Sequence, residues 1–226
     1  MFQNSRLPEI LIHTIVLFTA FPVHECAHGW AAEKMGDDTA RKQGRITLNP
    51  FRHLSLMGTV CMIFAGFGWA NPVPVDPRKF KDPKKGMAIT ALAGPVSNLI
   101  MAFAATVVFR ILAVVYNSGH DTELLYALLY FFEYVIVLNI GLAVFNLLPI
   151  PPLDGSRIFN LVLSDKMYFK IMQYEKYVMI ALIAVVYLGV LDIPLAFLRE
   201  KTLDLMFLLT DWIEALMTSF GGAAAV

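Results

Sequence analysis

Cysteine is almost missing from this chain: only Cys26 and Cys61 occur, both in apolar surroundings, which excludes a disulfide framework. Charge is scarce as well. Asp, Glu, Lys and Arg make up 16% of the 226 residues, and 18 basic side chains cancel 18 acidic ones, so no electrostatic field favours a nucleic-acid partner. The N-terminus lacks a small-residue cleavage site, because the apolar run after Arg6 continues directly into HECAH; the expectation is a retained helix rather than a cleaved signal. No 20- to 50-residue repeat is present. In place of these, 58% of the residues are hydrophobic and the mean hydropathy is +0.63, which is too apolar for an ordinary soluble domain.

The expected class is therefore an all-α, multi-pass membrane protein, a single unit over residues 1–226 with the lipid bilayer as its solvent. A crossing of the ~30 Å hydrocarbon layer takes about 20 helical residues. Long apolar runs at 7–32, 86–116, 122–148 and 174–191, with a further run at 203–218, predict about four to five transmembrane helices. Pro22 interrupts the first, which a membrane helix tolerates when neighbours re-satisfy the freed carbonyl. The last run carries Asp204, Asp211 and Glu214 on one side of a helical wheel, so it either spans while packed on protein or lies at the interface. Short strand-like segments are expected at 45–49 and 71–76.

HECAH at 24–28 places His24 and His28 four residues apart. They stand about 40° apart around a helix and one turn along it, so both imidazoles can reach one ion. That is zinc-ligand spacing, and Glu25 beside the first ligand can take a proton from water activated by the metal. Keeping two histidines and a glutamate in an apolar helix costs a few kcal/mol for each group, so such groups point to function. Two nitrogens leave zinc short of a third protein ligand. Asp154 is the best candidate, because it closes NLLPIPPLDG, where prolines stop a helix and Gly155 permits a tight turn. The plainer reading is a capping aspartate before SRIFNLV. Glu133 competes from mid-helix, although it more readily pairs with a basic group such as Arg110.

With HECAH in the first helix, GPVSN at 94–98 and NLLPIPPLDG at 146–155, the chain resembles the site-2 protease family of intramembrane zinc metalloproteases. GRITLNP and GWANPVPVDP are similar to segments of its small bacterial and archaeal members that lack an added regulatory domain. The resemblance covers roughly residues 5–160, with helices over 174–220 beyond it. It implies a membrane-embedded peptidase domain holding one Zn2+ per chain, with His24, His28 and Asp154 as ligands and Glu25 as general base. It also implies that Asn98 and Asn146 lie near the active site and that substrates are membrane-spanning proteins. The stretch 54–70 departs from the family's simplest pattern by lengthening the interval between histidines and aspartate.

That stretch can be placed by topology. His28 is near the exit of its helix and Asp154 just past the end of 122–148, so two crossings between them bring both to one side. A third crossing would part them by about 25–30 Å. The expectation is that 54–70, with Gly58, Gly66 and Gly68, forms a re-entrant or membrane-dipping segment. Segments 33–53 and 71–86 each hold five Lys or Arg, and 155–173 holds Arg157, Lys166 and Lys170, while 117–121 has none. The positive-inside bias then sets the metal near the cytoplasmic face, most simply at the cell membrane.

Asn139 and Asn146 are seven apart and share a helical face. With Asn98 they are candidates for holding substrate backbone or the oxyanion, against the plainer reading of helix-to-helix hydrogen bonds. A helical substrate must unwind before cleavage, and the segments at 45–49 and 71–76 offer edges for the unwound chain. Cys26 points away from the ligands, His13 is too far back to ligate, His53 and His120 read as loop histidines, and Trp30, Trp69 and Trp212 read as interface anchors. Two rival readings are an ion or metal transporter and a zinc-binding scaffold without turnover. The natural substrate and a homo-oligomer are left open.

Overall fold

The computed structural model describes residues 6–55, 58, 71–120 and 122–222. Helix α1 spans Arg6–Lys34 and runs through Pro22, which is fully buried. A short α2, Thr39–Lys42, and two 3-10 turns, Pro50–Arg52 and Pro77–Lys79, follow. Helix α3, Pro83–Asn117, begins at a well-formed cap in which the Asp82 carboxylate accepts the Lys85 N–H and Pro83 occupies the first turn. Helix α4, Glu123–Asn146, is capped by Thr122 and doubles back on α3 after the short loop. Then come α5 (Asp154–Phe159), α6 (Asp165–Met172), α7 (Glu175–Tyr187) and α8 (Asp192–Gly222).

The core lies where α3, α4 and α8 meet. Ala102 and Ala105 of α3 pack against Ile136, Ile140 and Val144 of α4 and Met206 of α8. Alanine on α3 lets its neighbours approach closely, which is how helices gain packing energy when lipid offers no hydrophobic drive.

Among the described residues two helices, α3 and α4, are long and apolar enough to cross a membrane, or three spans if α7 and α8, bent by 82° at their junction, count as one. This is fewer than the four to five expected. The runs at 174–191 and 203–218 account for part of the difference, because they belong to this one bent pair rather than to two separate crossings. Among the described residues neither 45–49 nor 71–76 forms a strand. In the latter, Asn71, Val73 and Asp76 already donate to His53, Glu25 and Asp37, while Pro72 and Pro74 have no N–H. The donor ladder that edge addition needs is largely consumed.

Residues 56–57 and 59–70, where a re-entrant segment is expected, lie outside the described residues, as does Trp69. The flanks are described, and they meet. Asn71 N–H donates to the His53 carbonyl at 2.6 Å and its side-chain amide to the Leu54 carbonyl at 3.2 Å. The basic segments also gather at one end: Lys79 pairs with Asp38 at 2.7 Å, and Lys84 Nζ donates to the Leu163 carbonyl at 3.1 Å. Arg110 pairs with Asp211 and with Glu214, the latter at 2.9 Å, and not with Glu133, which is exposed on α4. The acidic face of α8 thus serves a cation on α3.

Candidate metal centre

The HECAH turn of α1 faces α3, and the two helices touch at a glycine. A Cβ on Gly94 would stand 2.5 Å from His28 Nε2 and 2.6 Å from His24 Cε1, so only a residue without a side chain lets α3 close over both imidazoles. Asp154 reaches the same point from the far end of α4, as the first residue of α5. The loop before it folds tightly: a Cβ on Gly155 would meet the Leu147 carbonyl oxygen at 2.2 Å. PIPPLDG thus turns the carboxylate back towards the helix bundle.

The result is a triangle of ligand-type atoms. His24 Nε2 and His28 Nε2 are 3.0 Å apart, and Asp154 Oδ2 lies 3.2 Å from the first and 3.4 Å from the second. Tetrahedral coordination with metal–ligand bonds of ~2.0–2.1 Å puts ligand atoms about 3.3–3.4 Å from each other. The three separations fit one such ion. Asp154 Oδ2 is buried and has no hydrogen-bond partner, which a buried carboxylate oxygen does not sustain without a cation.

The outer nitrogens fix the tautomers. His24 Nδ1 donates to Asn98 Oδ1 at 2.5 Å, and His28 Nδ1 donates to the Thr90 carbonyl at 2.7 Å. With both Nδ1 atoms protonated, both Nε2 lone pairs face the triangle. Asn98 in turn donates to Asn139 Oδ1 at 2.8 Å, and Asn139 donates to the Val135 carbonyl at 2.8 Å. Asn98 and Asn139 are fully buried and spent on this chain. Asn146 donates to the Leu142 carbonyl of its own helix at 2.9 Å.

Glu25 is buried, and its Oε2 accepts the Val73 N–H at 2.8 Å. Val73 belongs to a strap over 71–76 with no regular secondary structure, whose Asp76 N–H donates to Asp37 at 2.6 Å. Burial opposes ionisation of Asp37, yet bonds from the Thr39 hydroxyl, the Asp76 and Thr39 N–H groups and Lys79 together hold its carboxyl below the usual range. Lys42 and Lys79 lower Asp38 to about 2, and Arg78 lowers Asp76 to about 2. His53 is fully buried, with Nε2 bonded to the Thr47 carbonyl at 2.7 Å, so it braces its loop instead of meeting solvent. His120 is exposed, as are Trp30 and Trp212.

Sequence reasoning missed the Thr90 carbonyl, the Val73 N–H and Asp37. Two of these are backbone groups with no residue signature. Asp37 carries only a weak one, an aspartate two residues before a threonine, the pattern of a local turn.

The model of peptidase family M50 matches residues 12–188. Two proteins that bear the name "putative zinc metalloprotease" are similar to the chain. YwhC of Bacillus subtilis is 45% identical over 76% of this chain and 77% of its own length, and MJ0611 of Methanocaldococcus jannaschii 30% identical over 70% and 74%. The "zinc metalloprotease MJ0392" of the latter organism is 28% identical over 73% of this chain and 37% of its own length. No solved structure matches.

Proposed function

The chain belongs to peptidase family M50 and is a membrane-embedded zinc metalloendopeptidase, and from that premise we propose that it cleaves membrane-spanning proteins near the cytoplasmic face. The observation that carries this reading is the triangle of His24, His28 and Asp154, closed over at Gly94 by α3, a helix long and apolar enough to cross a membrane. In the proposed assignment these three residues hold the ion, and Glu25 is the general base.

Zinc bound there supplies a Lewis acid that polarises a scissile carbonyl and makes water acidic enough to attack near neutral pH. Glu25 takes the proton of the attacking water and delivers it to the amide nitrogen as the C–N bond breaks. The Val73 N–H fixes one oxygen of that carboxylate, leaving the other for the proton. Asn98 and Asn139 orient His24, and the Thr90 carbonyl orients His28. Asn146, half-buried just before the loop that carries Asp154, remains the one asparagine of the three with a reading at the substrate. Orientation towards the cytoplasm is supported by the basic segments that gather at the metal's end.

The test is zinc analysis of the purified full chain, together with cleavage of a single-span polypeptide in proteoliposomes, with and without chelator. Glu25→Gln should retain zinc and lose cleavage by about 10²- to 10⁴-fold. Undiminished cleavage by that variant would overturn the assignment.

A further inference from the structure

The strap from Asn71 to Asp76 is pinned at three points by residues from elsewhere in the chain. At its head, Arg45 Nη2 donates to the Asn71 carbonyl at 2.8 Å and to the Pro72 carbonyl at 3.3 Å. In its middle, Val73 N–H reaches Glu25 at 2.8 Å. At its tail, Asp76 N–H reaches Asp37 at 2.6 Å. Asp37 is itself locked, fully buried, with its own N–H on the Ala32 carbonyl of α1 at 2.9 Å.

These contacts close a circuit. It leaves α1 at its C-terminal end through Asp37, runs back along the strap, and rejoins α1 at Glu25. Between the two carboxylates lie only Val73, Pro74, Val75 and Asp76. Pro74 fixes its own φ and biases Val73 towards extended backbone, so this short piece transmits position well. A shift at Asp76 is passed to the Val73 N–H with little slack. A carboxylate that must move a proton needs its orientation set to within a fraction of an ångström.

We propose that Asp37 is a positioning residue for peptide hydrolysis: by holding the Asp76 backbone it fixes the strap whose Val73 N–H orients the Glu25 carboxylate. The inference rests on the reading of Glu25 as general base. It asks nothing of Asp37 at the metal, since its carboxylate's polar contacts are with Thr39, Asp76 and Lys79. It therefore separates turnover from metal binding.

The experiment compares Asp37→Ala, Asp37→Asn, Val73→Pro and the double variant Asp37→Ala/Val73→Pro in the zinc-loaded full chain, with kcat expressed per bound zinc on a single-span model polypeptide in proteoliposomes. Asp38→Ala, an adjacent carboxylate with surface ion pairs, is the control. The expected result is a fall in kcat of roughly 10- to 100-fold for Asp37→Ala with KM and zinc content unchanged. Asp37→Asn, whose one amide oxygen can accept from either the Asp76 or the Thr39 N–H but not both, should recover part of it. Val73→Pro should lose kcat similarly, and the double variant no more than the worse single one, because both act on one contact.

A merely structural Asp37 would lower the yield of zinc-loaded protein and leave kcat per zinc intact, which would overturn the proposal. So would losses that multiply in the double variant. Should Asp37→Ala fail to fold, Asp37→Asn and Val73→Pro decide: wild-type kcat in Val73→Pro overturns the idea. Glu25→Gln is run in parallel. If it cleaves normally, both the base assignment and this inference fall; if it is silent while Asp37→Ala runs at full rate, the inference falls alone.

Discussion

Asn98 Oδ1 accepts the Nδ1 proton of His24 at 2.5 Å, across 74 residues of sequence. The bond joins α1 to α3 inside the bundle and decides which nitrogen of the imidazole is free. A histidine held this way presents a defined lone pair, whereas a free one would divide itself between two tautomers.

Asn98→Ala should therefore weaken zinc binding by about 10- to 100-fold while the protein stays helical. Competition with a chromophoric chelator measures the affinity and circular dichroism the fold. Zinc affinity equal to wild type would show that His24 does not depend on this partner.

Gly94→Ala should be worse than its one added methyl suggests. The new carbon would stand within 2.6 Å of both imidazoles, so at least one ring must turn or α3 must back away. The expected outcome is a loss of more than about tenfold in zinc occupancy, with purified protein still embedded in membrane. Metal analysis per mole of protein is the check.

Acid should loosen the strap and the α2 corner before the helices. Asp37, Asp38 and Asp76 all have folded-state values below the ordinary aspartate value, the last two at about 2. A depressed value means that the unfolded form takes up protons first, so the stability from these groups is fully present above about pH 4 and lost between about pH 4 and 2. Limited acid proteolysis should cut within 36–49 and 71–82 over that window while α3 and α4 stay intact. Protection unchanged down to pH 2 would contradict this.

Reporter tags at residues 40, 80 and 160 should all appear on one face of the membrane, with a tag at 119 on the other. The contact of Asn71 with His53 and Leu54 joins the segment that carries residue 40 to the segment that carries residue 80. Tags at 40 and 80 on opposite faces would overturn the proposed orientation.

Much of the site was legible because its chemistry is covalent to the sequence pattern. HECAH sets two imidazoles on one helical face whatever surrounds it, and the prolines around Asp154 announce a stop and a turn. Helix extents were legible from apolar runs: α3 and α4 end within a few residues of where hydropathy puts them. Partner choice was not. The sequence points Arg110 at Glu133, whereas the packing of α8 against α3 gives it Asp211 and Glu214. The asparagines were visible as polar groups in apolar helices, but the direction of an amide is set by the partners that packing places beside it. The strap's grip on Glu25 was invisible, since it is made by a peptide N–H 48 residues away.

The clasp between Arg110 and two carboxylates has a mechanical implication. Arg110 is mostly shielded, whereas Asp211 and Glu214 remain over half open to the outside. Peeling the final helix off its neighbour would leave the shielded Arg110 guanidinium without either carboxylate, and an uncompensated buried charge is strongly destabilising. The seam between α3 and α8 is thus the line along which the bundle parts least easily.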